Sequence, residues 1–320
     1  MKAVFLDRAT FPTHITFEPP SAVTDWKEYG KTTPDQRLSR CQNADIIVTN
    51  KVVIDRDLIS QLPQLKLIAV TATGTNNIDL DACRDHQIQV VNATDYGTHS
   101  VAEHTLMLML ALSRQLRTYL EANERRSWSQ SPFFCDLLSP ISTLHGKRLT
   151  ILGRGTLGSA VADLASALGM DVCFAEHRGA DPVRPGYIAF ESALRDADVV
   201  SLHCPLTDDT YQLINQETLS WMKPTALLIN TGRGDLVNET DLLHALKNGD
   251  IAGAALDVAS VEPPAEDALI WALQALPNVI ITPHIAWASD EAMNNLIGQI
   301  LQKIADFSEG NPVNNLAGSR

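Results

Sequence analysis

The sequence has no excess of positive charge. Its 25 lysines and arginines stand against 38 aspartates and glutamates in 320 residues, a net charge of −13. Non-specific attraction to nucleic acid needs a basic face, so DNA, RNA and anionic membrane surfaces are excluded as expected partners. Paired cysteines are missing too. Cys41, Cys83, Cys135, Cys173 and Cys204 are odd in number and scattered, with no CxxC and no disulfide-framework spacing, which suits a reducing cytoplasm. There is no long apolar run: Leu106 to Leu112 lies between His104 and Arg114, far short of the roughly 20 residues a membrane span needs. The N-terminal MKAVFLDRAT is interrupted by Asp7 and Arg8 before it could serve as an export signal. Low-complexity segments and short-period repeats are absent. His99 and His104 are five apart, which misses both HExxH and the i, i+4 spacing of helical metal ligands, so no metal is expected.

What is present is a globular composition, 45% hydrophobic and 20% charged, in a chain whose length favours two domains. Short β-branched runs alternate with helical patterns, the signature of parallel sheets built from βαβ units. The fold class expected is therefore α/β. Four strand candidates fall in the first hundred residues: AVFLD (3–7), ADIIVTN (44–50), LKLIAVTA (65–72) and IQVVN (88–92). Six more follow Leu149 (LTILG, DVCFAE, DVVSLH, ALLINT, GAALDV and VIITP), enough for a separate doubly wound unit. Between the series a long helix is expected from about Ser100 to Glu124, then an aperiodic excursion over residues 125–147 with aromatics beside prolines. A last helix is expected from Ser289 to about Phe307.

The strand LTILG runs into Gly153-Arg154-Gly155-Thr156-Leu157-Gly158 and then a helical pattern. This is GxGxxG in the context its chemistry requires: a tight turn, close approach of a pyrophosphate to backbone, and a helix N-terminus facing the phosphates. Glu176 closes the next strand, where a carboxylate accepts the ribose hydroxyls of NAD. Arg178, two residues on, offers the alternative of holding the 2′-phosphate of NADP.

Three polar residues stand just past later strands, where open α/β sheets place their ligands. Arg233 follows ALLINTG and suits a carboxylate, which a guanidinium binds through two oxygens at once; a surface salt bridge is the alternative. His284 follows VIITP and is either a proton donor or a satisfied structural group. Glu262, in DVASVEPP, would alone be an ordinary loop charge. Together they supply an anion clamp, a proton donor and a carboxylate to orient the imidazole. The loop TATGTNN (71–77) has backbone amides around Thr73 and Gly74 that could receive a carboxylate, or it is a plain turn.

These segments resemble the NAD-dependent D-isomer-specific 2-hydroxyacid dehydrogenases over essentially the whole chain. GRGTLG, Glu176, HCPLTDDT (203–210), INTGRGDLVNE (229–239), ALDVASVEPP (255–264) and TPHIAWAS (282–289) occur in the family's order and spacing. Gly232 and Ser289 are mild departures. The resemblance implies two doubly wound parallel-sheet domains, a Rossmann cofactor domain (99–287) inserted into a flavodoxin-like substrate domain (1–98 with 288–320), and an active site in their cleft. It implies catalytic roles for Arg233, Glu262 and His284, with Thr73, Gly74, Arg233 and His284 contacting substrate. It also implies that Cys204, Pro205, Thr210, Thr231, Gly232, Asp257 and Ala286 line the cofactor beside the glycine loop. A homodimer joined through residues 100–147 is implied, with Trp128 a candidate to reach the neighbouring site. ATGTNNID and PHIAWAS look most like glycerate dehydrogenases, also called hydroxypyruvate reductases. Other expectations kept open are glyoxylate, another 2-oxo acid or 3-phosphoglycerate as substrate, and, in a different class, an NAD-sensing corepressor on the same fold.

Overall fold

The computed structural model describes residues 1–318 and divides into two compact units, Met1–Gly97 with the chain from Ala288 onward, and Thr98–Trp287. The first unit holds a five-stranded parallel sheet: β1 (Lys2–Phe5), β2 (Asp25–Glu28), β3 (Ile46–Thr49), β4 (Leu67–Val70) and β5 (Gln89–Asn92). Its order is β2-β1-β3-β4-β5, that of flavodoxin-like sheets. Strands β3 and β4 are buried along their whole length because both faces of a parallel sheet are covered, which is why they read as unbroken apolar runs. Four of these strands are legible as apolar runs in the sequence. The fifth, β2, is DWKE, a half-exposed edge strand with no β-branched residue, and charge on an edge is how proteins discourage further pairing.

Short helices α1 (Arg37–Cys41), α2 (Arg56–Ile59) and α3 (Leu80–Asp85) connect the strands. Asp55 and Asp79 cap the last two by accepting from the Leu58 and Ala82 amides.

In the second unit the single long helix expected over 100–124 is two: α4 (Thr98–Ser113) and α5 (Leu116–Glu124). Gln115, in the left-handed region at φ 53°, breaks the run. Helix α4 packs on the sheet of its own unit. The excursion that follows contains one 3-10 turn, Ser127–Gln130, and exposes Phe133, Phe134 and Leu137. The Trp128 indole N–H donates to Phe134 O within the excursion itself.

Six parallel strands follow: β6 (Arg148–Leu152), β7 (Asp171–Ala175), β8 (Val199–Leu202), β9 (Leu227–Asn230), β10 (Gly253–Leu256) and β11 (Val279–Ile281). They are joined by α6 (Thr156–Ala167), α7 (Phe190–Asp196), α8 (Gln216–Trp221), α9 (Glu239–Asn248) and α10 (Leu269–Gln274). The order is β11-β10-β9-β8-β6-β7, with isolated parallel bridges from Ala175, the last residue of β7, to Ile188 and from Ile214 to Val237. Alternation sorts the side chains onto two faces. Val199, Leu227, Ile229 and Ala255 pack with α4 and α6, while Val200, Leu228, Ala254 and Leu256 pack with α7 to α10. The order reverses between β6 and β8, the place where doubly wound sheets hold ligands.

The last helix, α11 (Asp290–Ser308), is capped by Ser289 and packs in the first unit against β4 and β5. Beyond it, Leu316 N donates to Val90 O at 2.8 Å and Asn315 Oδ1 accepts from Val90 N at 2.9 Å, tying the chain to the free edge of β5. Among the described residues no helix is long and apolar enough to cross a membrane.

Candidate active site

At the switch point the Gly153 loop leaves β6 beside the end of β8. Gly153 has φ +103°, and a Cβ there would lie 2.6 Å from Cys204 N and from the His203 carbonyl, so turn and close approach both demand glycine. A Cβ on Gly158 would lie 2.0 Å from Gly153 O, which fixes α6 tightly against the strand. A Cβ on Gly155 would meet nothing within 4 Å. Gly155 is also the N-cap of α6 and supplies no side-chain acceptor, leaving first-turn amides to face an open cradle. Two glycines forced by packing and one opening on space fit a dinucleotide pyrophosphate. Beside the loop, Thr210 Oγ1 donates to Pro205 O at 2.7 Å, and buried Thr231 shares a hydrogen bond with Thr105.

Glu176 lies just past β7, as expected for a ribose acceptor, but its carboxylate is taken. Arg184 donates through Nε and Nη2 at 2.7 and 2.6 Å, and the amides of Arg184 and His177 add bonds of 3.0 and 2.8 Å. Against the opposing effect of burial, the guanidinium and these amides hold the carboxyl down to about 2. Arg178 is paired instead with Glu217 at 2.5 Å and sits over the Trp221 ring. The alternative of a phosphate held by Arg178 therefore meets a residue already committed elsewhere. Arg184 was missed because it lies in the glycine- and proline-rich HRGADPVRPGY, where no period marks a partner.

His284 and Glu262 are brought together: Nδ1 and Oε2 are 2.6 Å apart, and Glu262 Oε1 accepts from Ala259 N at 3.0 Å. His284 holds φ +55°, a left-handed conformation uncommon outside glycine, although asparagine, aspartate and histidine adopt it more readily than other residues. The strain is over-determined. His284 N donates to Asp257 O at 2.7 Å, and the Asp257 carboxylate, 1% exposed, accepts from Ile285 N, Ala286 N and Thr282 Oγ1 at 3.0, 2.8 and 2.5 Å. His104 of α4 bonds Thr282 Oγ1 at 3.0 Å, a tertiary contact with no sequence signal. Asp257→Ala strands buried donors and should cost about 2–4 kcal/mol of unfolding free energy in urea titration; a loss below about 1 kcal/mol would mean water replaces the carboxylate.

Arg233 begins the turn after β9, which Asn230 staples by donating to Arg233 O and accepting from Gly232 N. The next residue, Gly234, lies where a Cβ would be 2.0 Å from the Ala259 backbone, so the Arg233 turn and the Glu262 loop are locked together. Arg233 Nη1 donates to Gly232 O, and among the described residues the side chain has no ion pair, so the salt-bridge alternative is not what the structure contains. Burial holds His203 down to about 4 and also lowers His104, there opposed by Asp257, so both stay neutral near pH 7. Thr73 and Gly74 belong to the other unit, where Asn92 Nδ2 anchors Thr73 O at 2.7 Å.

A doubly wound sheet with an open glycine-lined cradle at its switch point and an imidazole–carboxylate pair past its later strands fits a dinucleotide-dependent oxidoreductase. The model of the D-isomer specific 2-hydroxyacid dehydrogenase NAD binding domain matches residues 106–286, and the chain belongs to that family, with NAD as its cofactor. It is 48% identical to a Haemophilus influenzae protein that carries a provisional 2-hydroxyacid dehydrogenase name, covering 96% of this chain and 98% of that one. It is 43% identical to glycerate dehydrogenase of Methylorubrum extorquens, covering 98% of both. A solved structure of D-lactate dehydrogenase from Aquifex aeolicus, complexed with NAD and lactic acid, superposes with a TM-score of 0.80 at 29% identity, covering 97% of this chain and 96% of that one.

Proposed function

We propose that the protein interconverts hydroxypyruvate and D-glycerate with NAD(H), using Arg233, His284 and Glu262. The short Glu262–His284 hydrogen bond, in an NAD-binding domain and joined through Ala259 to the turn of an arginine that has no ion pair among the described residues, carries the chemical part. The likeness to glycerate dehydrogenase ranks the substrate. Bound NADH supplies the hydride for C2 of the oxo acid. Arg233 grips the carboxylate through two parallel N–H bonds. With Nδ1 tied to Glu262, His284 turns Nε2 to the substrate and donates a proton to the carbonyl oxygen, which becomes the hydroxyl. The Glu262 charge stabilises the imidazolium that gives that proton. In the reverse direction neutral His284 accepts it. Exposed Phe133, Phe134 and Leu137 support pairing of two copies as part of the same proposal.

Steady-state assays with hydroxypyruvate, glyoxylate, pyruvate and oxaloacetate test it. The highest kcat/KM is expected with hydroxypyruvate. A clear preference for pyruvate overturns the substrate assignment and leaves the reaction class, whereas nucleotide binding without turnover on any oxo acid overturns the enzyme reading in favour of a sensor.

A further inference from the structure

The catalytic reading leaves Arg184 and Arg154 without a task. The four donors on Glu176 fill the roughly four lone-pair sites that a carboxylate offers, so a closed Glu176–Arg184 pair has nothing left for a ribose diol. Nη1 of Arg184 takes no part in that pair. The guanidinium lies 4.3 Å from the centre of the Tyr187 ring, and the side chain is half exposed. Arg154, from the glycine loop, lies 5.8 Å from the same ring and 4.8 Å from that of Phe174. Among the described residues Arg154 has no ion pair.

A carboxylate standing alone at this strand end favours NAD by accepting ribose hydroxyls and repelling a 2′-phosphate. Here Arg184 cancels the charge of Glu176, and Arg154 adds an unbalanced positive charge on the same aromatic ring. Resting on the reading that the glycine loop receives the pyrophosphate and the adenosine ribose lies at Glu176, we propose that Arg184 selects the coenzyme and that the protein binds NADP(H) as well as NAD(H). With the pair closed, Arg184 Nη1 and Arg154 hold a 2′-phosphate, an oxyanion that suits the guanidinium fork. With Arg184 moved aside, Glu176 accepts the ribose hydroxyls of NAD. The phosphorylated coenzyme keeps the existing ion pair, whereas the unphosphorylated one opens it.

Calorimetric titration of the whole protein with NADPH, NADH, adenosine 2′,5′-bisphosphate and AMP tests this without turnover. The parent should bind NADPH within about tenfold of NADH, and the bisphosphate more tightly than AMP. Arg184→Ala should weaken NADPH and the bisphosphate by about 10- to 100-fold, the contribution of a charge-assisted hydrogen bond, while NADH holds or tightens because Glu176 is released. Arg184→Gln, which can still hydrogen-bond Glu176 without the charge, should move the same way, and thermal unfolding confirms that each variant folds. Glu176→Gln should weaken NADH and leave NADPH bound. Equal shifts of both coenzymes in the Arg184 variants, or a parent that binds NADPH more than about 100-fold more weakly than NADH, overturns the proposal and leaves the NAD site standing. A folded parent that binds neither coenzyme overturns the nucleotide reading itself, and the proposal with it.

Discussion

His284→Asn should lower kcat for oxo acid reduction by about 10²- to 10⁴-fold, the contribution of a positioned general acid, and leave NADH affinity intact. Asparagine is the informative substitution because it tolerates the left-handed backbone that His284 occupies at φ +55°, so the Asp257-braced turn persists and only the acid is lost. Variant activity near that of the parent would return His284 to a structural role. Glu262→Gln separates charge from position: the amide can still meet Nδ1 of His284, 2.6 Å away in the parent, but the negative charge beside the proton donor is gone, so kcat for reduction should fall by about 10- to 100-fold, the contribution of a charged hydrogen-bond partner, while NADH affinity holds. Variant activity near that of the parent would reduce Glu262 to a positioning residue.

Arg233→Lys should lower kcat/KM for the oxo acid by about 10²- to 10³-fold, although the charge is kept, because one ammonium cannot reproduce two parallel bonds to a planar carboxylate. The site supports a sharp reading of this variant. Arg233 Nη1 rests on Gly232 O, and no acidic partner among the described residues has to be broken for the guanidinium to reach substrate. NADH titration should be unaffected. Near-normal reduction would mean that the carboxylate is held by other groups.

The parts of the fold that were legible in the sequence are those where one local pattern decides the outcome. Strands such as IIVT and LLIN are buried on both faces, so they announce themselves as apolar runs. Strand β2 escaped because an edge position asks for little apolar surface, and DWKE has little to show. The break at Gln115 escaped because glutamine is an ordinary helix residue and only its backbone conformation ends α4. The same division holds in the site. GRGTLG is contiguous and its glycines carry their reasons with them, whereas Arg184 is eight residues from Glu176 across an irregular loop. The bond from His104 to Thr282 depends on α4 packing against the strands, which no local window contains.

The second unit is one uninterrupted segment, but the first is assembled from both ends, since α11 packs on β4 and β5 and residues 315 and 316 bond the edge of β5. At a translation rate of about 5–20 residues per second, α11 leaves the ribosome on the order of ten to forty seconds after β5. During that interval the nucleotide-binding unit can form and close its own core, while the first sheet waits with apolar side chains uncovered and one edge unpaired. The nascent chain therefore has a period of exposure to chaperones and to self-association that belongs to the older, N-terminal third of what has been synthesised and ends only when the helix that completes it arrives.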